Sequence, residues 1–287
     1  MEGTFMERDI ITVYCLIDEY LKISGIKDDV RAEISNAEVL LIGYMAVNDF
    51  NGNYFKAHQY VKMMHLVKEI DYTRFLRRLV KINNVLSTLF LFLGSLFQRL
   101  NGAKIYSVDS FPVELCQITR QSRVRLWSDP SLKGYNASKG RFFYGFKVHM
   151  VVTTDKEPVM VHISQGSIHD VRAGYQFIQY LPANSIAIGD KGYVSSKLEA
   201  FLKRFDIVLA PIGRNNMSKV NKEDYFIKRR IRKGVETAFS MITAKFGKVI
   251  KATTIGGFLT KLRLFITAYA INCFLKLSDD KKALLFN

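Results

Sequence analysis

Two stretches, Ile105-Tyr-Ser-Val-Asp-Ser110 and Ser185-Ile-Ala-Ile-Gly-Asp-Lys-Gly-Tyr193, decide how this chain folds. Each is a short apolar, β-prone run that closes on an aspartate, Asp109 in the first and Asp190 in the second. Such runs read as strands, and the carboxyl ends of strands are where an open α/β sheet gathers its ligands. Between them, Phe142 to Thr154 is aromatic and β-branched, Asp155-Lys-Glu-Pro158 breaks it, and Val159 to Ser164 resumes, which predicts a hairpin. Residues 110–140 are polar and basic with no long apolar period and read as a connecting segment. Helical periodicity covers 171–181, a helix capped by Ser195 or Ser196 runs to about Phe205, and Ile207 to Ala210 is a further strand. Residues 225–246 and 259–277 are again helical.

Before Gly102 no convincing strand appears. Ile10, Ile11, Tyr14, Ile17 and Leu21 make one apolar stripe, and Val39 to Ala46 a more buried segment. Asp71 is placed to cap a helix in which Phe75, Leu76, Leu79 and Val80 face a core while Arg74, Arg77, Arg78 and Lys81 point outward. A short helix with a basic face suits a DNA groove; an ordinary amphipathic helix with a solvated cationic face is the competing reading. The expected architecture is α/β, a mixed sheet flanked by helices and preceded by an all-α N-terminal domain, with a boundary between residues 1–100 and 101–287.

The chain has 287 residues and a formal net charge of +16. The charge is uneven: residues 1–60 carry 5 basic and 10 acidic side chains, residues 201–263 carry 15 and 4. A field so concentrated attracts a polyanion. Cys15, Cys116 and Cys273 are odd in number and lack CxxC spacing, which disfavours a zinc site or a disulfide framework and fits a reducing compartment. The first nine residues are polar and acidic, so no secretory leader is expected, and the apolar stretch Val85–Phe97 is shorter than the ~20 residues of a span. A cytoplasmic protein with no membrane partner is expected.

A third acid, Glu236, lies in the basic helical run Arg230-Ile-Arg-Lys-Gly-Val-Glu-Thr-Ala-Phe-Ser240. Two acids at strand ends and one on a later helix form the donor set that phosphodiester chemistry with two divalent ions requires. Magnesium takes hard oxygen ligands and keeps several waters, so three carboxylates suffice; two Mg²⁺ ions are expected, with Mn²⁺ a possible substitute. Asp109 would bridge the ions, Asp190 hold one and Glu236 the other. Three unpaired acids repel one another, so the site should be poorly formed without metal. Each acid also has a plainer reading: Asp109 as a cap after its strand, Asp190 as a turn residue before Lys191-Gly192, Glu236 as the partner of Arg232 or Lys233 on its own helix. Asp170 rivals Asp190 for the second position, though N-capping of the next helix explains it. Lys147 and His149 alternate along one strand face and line either the site or a polar outer surface. Arg229, Arg230, Arg232 and Lys233 are expected to contact DNA phosphates, as are Arg74, Arg77, Arg78, Lys81, Lys147, Lys191 and Lys245.

At these residues the chain resembles the DDE transposases of bacterial insertion sequences, whose catalytic core is RNase H-like. The resemblance covers about Tyr106 to Phe274 and rests on Val108-Asp-Ser-Phe-Pro-Val113, Phe143-Tyr-Gly-Phe-Lys-Val-His149, Gly189-Asp-Lys-Gly-Tyr193 and Arg232-Lys-Gly-Val-Glu-Thr-Ala-Phe-Ser240. It implies metal-bound carboxylates at Asp109, Asp190 and Glu236. The family's glutamate motif often has Tyr, Arg, Glu and Lys; here Arg232 and Glu236 keep their spacing, position 229 is Arg, position 243 is Thr, and Lys245 is the candidate for the lysine's place. The resemblance implies a transposase that binds the ends of its element as a homo-oligomer and cuts and joins double-stranded DNA by direct transesterification. A structure-selective nuclease on the same core, or an inactive DNA-binding remnant, are the alternatives.

Overall fold

The computed structural model describes residues 3–123, 128–210, 222–246 and 250–286. Five helices come first: α1 (Gly3–Ile23), α2 (Asn36–Asn48), α3 (Tyr54–Met63), α4 (Tyr72–Lys81) and α5 (Asn83–Leu100). Then follow β1 (Ile105–Cys116), β2 (Lys133–Asn136), β3 (Arg141–Thr153), β4 (Pro158–Gln165), α6 (Asp170–Phe177), β5 (Ser185–Gly189), α7 (Ser196–Leu202), β6 (Ile207–Leu209), α8 (Lys222–Ala244), α9 (Ile255–Leu275) and α10 (Asp279–Phe286).

The chain divides into two compact units. One is helical and joins Met1–Leu93 to Ile242–Asp279; the other comprises Gly94–Met241 with Asp280–Asn287 and carries the sheet. The boundary expected near residue 100 compares with a division at Leu93, and Ile242–Asp279, placed with the second domain on sequence, packs in the helical unit. The reason is burial. Leu264 presses on Gly43 of α2, Tyr44 Oη donates to Asn272 Oδ1 at 2.7 Å, and Thr267 Oγ1 donates to the Leu86 carbonyl at 3.2 Å. α9 is long and apolar enough to cross a membrane by length and composition. Its buried face, Phe258 through Phe274, is nevertheless packed inside the protein.

Local signals hold in α2 and α4. Ser35 and Glu38 close a capping box on α2, and Asp71 accepts from the backbone N–H groups of Thr73 and Arg74. In α4 only Phe75 and Leu79 are buried; Val80, expected in the core, is 41% exposed because it lies on the flank of the stripe.

The sheet unit is the expected mixed sheet flanked by helices. β3 pairs antiparallel with β1, β2 and β4, whereas β5 pairs parallel with β1 and β6 parallel with β5. Parallel neighbours need crossovers, and α6 and α7 supply them. Residues 110–140 depart from the sequence reading: β1 runs on to Cys116, and β2 is a further strand. Pro112 hid this, since a proline argues against a central strand. The parallel pairing with β5 ends at Val108, so from Asp109 onward β1 is held only by β3, and a missing N–H is tolerated there.

Candidate active site

The register of two parallel strands sets the first two acids side by side. Val108 pairs with Gly189 as the last step of the β1–β5 ladder, so Asp109 and Asp190 leave that ladder together. Tyr106, Val108 and Ala187 are wholly buried and anchor the strands. Asp190 does follow its strand; Asp109 instead sits within β1, where its pairing with β5 stops.

Glu236 comes from α8. That helix buries Val235, Ala238 and Phe239, and the Phe239 ring lies 4.5 Å from the Phe111 ring of β1. Arg232 and Glu236, four residues apart, lie on the flank of that buried face, two turns and one turn before Phe239, and meet the aspartates. All three carboxylates meet one guanidinium. Arg232 Nη2 donates to Glu236 Oε1 at 2.8 Å, Nη1 lies 3.3 Å from Asp190 Oδ1, and Nε lies 3.8 Å from Asp109 Oδ2. The acids are thus not unpaired, as the sequence reading had them, and the Glu236–Arg232 pairing on one helix exists as well. Among the described residues no group of three or more His, Cys, Asp or Glu side chains is arranged to hold a metal ion.

Side-chain exposure rises from 16% at Asp109 through 37% at Asp190 to 49% at Glu236, so the cluster opens from a dry floor to a wet rim. Burial pushes the Asp109 carboxyl up to about 7, with the Asp190 and Asp170 charges adding to the rise and the Ser110 N–H and Arg232 opposing it. The Arg232 guanidinium beside Asp109 favours its ionised form while burial disfavours it. Arg232 Nε is buried with no hydrogen-bond partner, and an unmade bond of that kind costs about 1–3 kcal/mol. The three carboxylates supply hard oxygen donors of the kind a divalent ion takes, and the Arg232 guanidinium occupies the place between them.

Beneath the aspartates lies a second polar layer. Asp170, expected to cap α6, does not: the cap position is His169, and the Asp170 carboxylate instead accepts from Ser110 Oγ at 3.0 Å and Lys147 Nζ at 3.2 Å. His149 is fully buried between Tyr193 Oη and Ser164 Oγ, and burial drives its imidazole far down, to about 3. Only the Lys147/His149 alternation on β3 marked this layer in the sequence; Ser110, Ser164, Asp170 and Tyr193 join it from β1, β4, α6 and the turn after β5.

The basic candidates divide by engagement. Arg74, Arg77 and Lys81 are exposed on α4, Arg74 lying 3.9 Å from Glu33. Arg78 is committed to the Ile34 carbonyl and to Asn36 Oδ1. All four line a cavity of about 640 Å³ in the helical unit. Lys191, Arg230 and Lys233 are exposed in the sheet unit. Lys147 is taken up by Ile168 and Asp170, and Lys245 by the Asn48 carbonyl at 2.7 Å in the helical unit. The Arg229 side chain lies outside the described residues.

A mixed sheet thus brings two aspartates to the point where its β1–β5 ladder ends, and a later helix adds a glutamate. The sequence profile of the transposase DDE domain matches residues 101–273, more than half of the chain, and the protein belongs to the DDE transposase family. Among solved structures, it is similar to the piggyBac transposase in a synaptic complex with hairpin DNA, seen by cryo-electron microscopy. The identity there is 12% and the TM-score 0.49, over 96% of this chain and 76% of that one. No curated protein matches the chain.

Proposed function

We propose that this transposase serves a bacterial insertion sequence, binding the element's ends as a homo-oligomer on double-stranded DNA in the cytoplasm. Asp109, Asp190 and Glu236 are its catalytic and metal-holding residues, and the observation that carries this is their convergence on Arg232. DDE transposases generally use divalent ions; here Mg²⁺ held by the three carboxylates would activate the attacking oxygen and neutralise charge on the phosphate.

The chain's own residues account for the rest. Burial at Asp109 disfavours its ionised form, and a further cation at the site would favour it. Arg232 holds the acids together meanwhile and is free to turn to phosphate when they are otherwise satisfied. Lys191, Arg230 and Lys233 offer exposed charge to the DNA backbone near the acids. Arg74, Arg77 and Lys81 do so in the helical unit, which we read as the end-binding part. Water first cuts one strand and frees a 3′-hydroxyl, which then attacks a target phosphate without a covalent protein–DNA intermediate.

Asp109→Asn is expected to abolish nicking of DNA carrying the element's ends while binding in gel-shift assays persists. Undiminished nicking would remove Asp109 from the site. Pre-cut ends should be joined to a target plasmid by the wild type; hydrolysis without joining would make the protein a nuclease.

A further inference from the structure

We infer that the Lys147–Asp170 pair is a positioning device that sets the two aspartates at matched height, acting on Asp109 through Ser110 and on Asp190 through the turn at Gly192. The inference rests on the proposed roles of Asp109 and Asp190.

One carboxylate touches both aspartate segments. Asp170 Oδ1 accepts from Ser110 Oγ at 3.0 Å, and the Ser110 backbone N–H donates to Asp109 Oδ1 at 2.7 Å. On the other side, a Cβ added at Gly192 would stand 2.6 Å from Asp170 Oδ2, so the turn two residues past Asp190 lies directly against the carboxylate, and a side chain there would displace it. Asp170 in turn is fixed by Lys147, whose Nζ lies 3.2 Å away and also donates to the Ile168 carbonyl at 2.9 Å. Lys147 stands opposite Pro112 on β3, so the pair ties α6 to the sheet beside the stretch of β1 that β5 no longer supports.

Burial gives the pair its hold. The side chains of Lys147 and Asp170 are 14% and 24% exposed, and removing one partner leaves the other charge uncompensated in a largely dry place. With Oδ1 taken by a serine and a lysine, Asp170 is turned to the frame of the site and acts through its neighbours. His149 and Tyr193 continue the frame below: His149 bonds Tyr193 Oη at 3.1 Å, three residues past Asp190.

The test is a double-mutant cycle on Ser110→Ala, Asp170→Asn and Asp170→Ala, with Asp109→Asn as control. The readouts are single-turnover nicking of end-bearing DNA, DNA affinity, and Mn²⁺ binding to the DNA-free protein by electron paramagnetic resonance. A misplacement of about 1 Å in a catalytic group costs about 100-fold in rate, so Asp170→Ala should lose about that much, with DNA affinity held. Ser110→Ala should lose a smaller factor and add nothing on top of Asp170→Ala. Asp170→Asn, which retains an oxygen acceptor for Ser110, should recover part of the rate. Additive losses, or Ser110→Ala nicking at the wild-type rate, would overturn the inference; so would loss of Mn²⁺ binding in Asp170→Asn as complete as in Asp109→Asn, which would make Asp170 a ligand. Should Asp170→Ala fail to fold, Ser110→Ala and Asp170→Asn decide alone. If Asp109→Asn itself nicks normally, the site assignment fails; if only the Ser110 and Asp170 variants do, the positioning role fails by itself.

Discussion

Arg232 governs the electrostatics of the acid cluster. Its guanidinium lies within 4 Å of Asp109, Asp190 and Glu236, and without it three carboxylates repel one another around a desolvated floor. Arg232→Gln should therefore lower the melting temperature of the metal-free protein and enlarge the rise in melting temperature on adding millimolar Mg²⁺. Calorimetry with and without chelator checks both; an unchanged Mg²⁺ response would detach Arg232 from the metal-holding role of the acids. His149 makes a separate prediction about pH. It is buried neutral, with its imidazole lowered to about 3, whereas the unfolded chain protonates it near 6.5. The unfolded state thus binds the extra proton between those values, and stability is present above pH 6.5 and drains away as pH falls. Between pH 7.5 and 5 the wild type should lose about 2 kcal/mol relative to His149→Gln, measured by urea unfolding.

Elements carry the geometry of the site, and here the sequence was legible in part. The aspartate-bearing runs could be read because short apolar strands closing on an acid leave a local pattern. The end of β1 could not, since Pro112 is acceptable only where β5 has already departed, a fact of pairing rather than composition. The three acids were readable as a set, and Arg232 was read as a phosphate contact or as the helix partner of Glu236; its reach to Asp109 and Asp190 was not legible, because an Arg four residues before a Glu looks the same on any helix surface. Asp170 was misread for a similar reason: an acid opening a helix looks like a cap whether or not it caps. The β1–β3 ladder makes its own prediction. A side chain at Gly145 would run into the Val113 carbonyl, close to the register shift between Glu114 and Cys116. Gly145→Ala should cost about 1–3 kcal/mol in chemical unfolding, as overpacking does, and should depress nicking along with stability.

Charge belongs to the molecule as a whole. With a net +16, binding to DNA should weaken steeply with salt, log K falling by about 0.9 per phosphate neutralised for each unit of log salt. Removing Arg74, Arg77 or Lys81 should each flatten that slope by about one while lowering affinity for specific and random duplexes alike. A slope unchanged in the triple variant would place the footprint elsewhere.

The helical unit is built from two stretches far apart in the chain: its first helices lie before Leu93, yet α9, which fills the groove lined by Leu40, Tyr44 and Leu86, comes from Ile255–Leu275. A ribosome must therefore deliver the chain through Leu275 before that unit can close, whereas the strands β1 to β6 have been delivered by Leu209. An expression fragment ending at residue 100 would expose the unfilled groove and aggregate; fusing 1–93 to 242–279 through a flexible tether is the route to an isolated helical half.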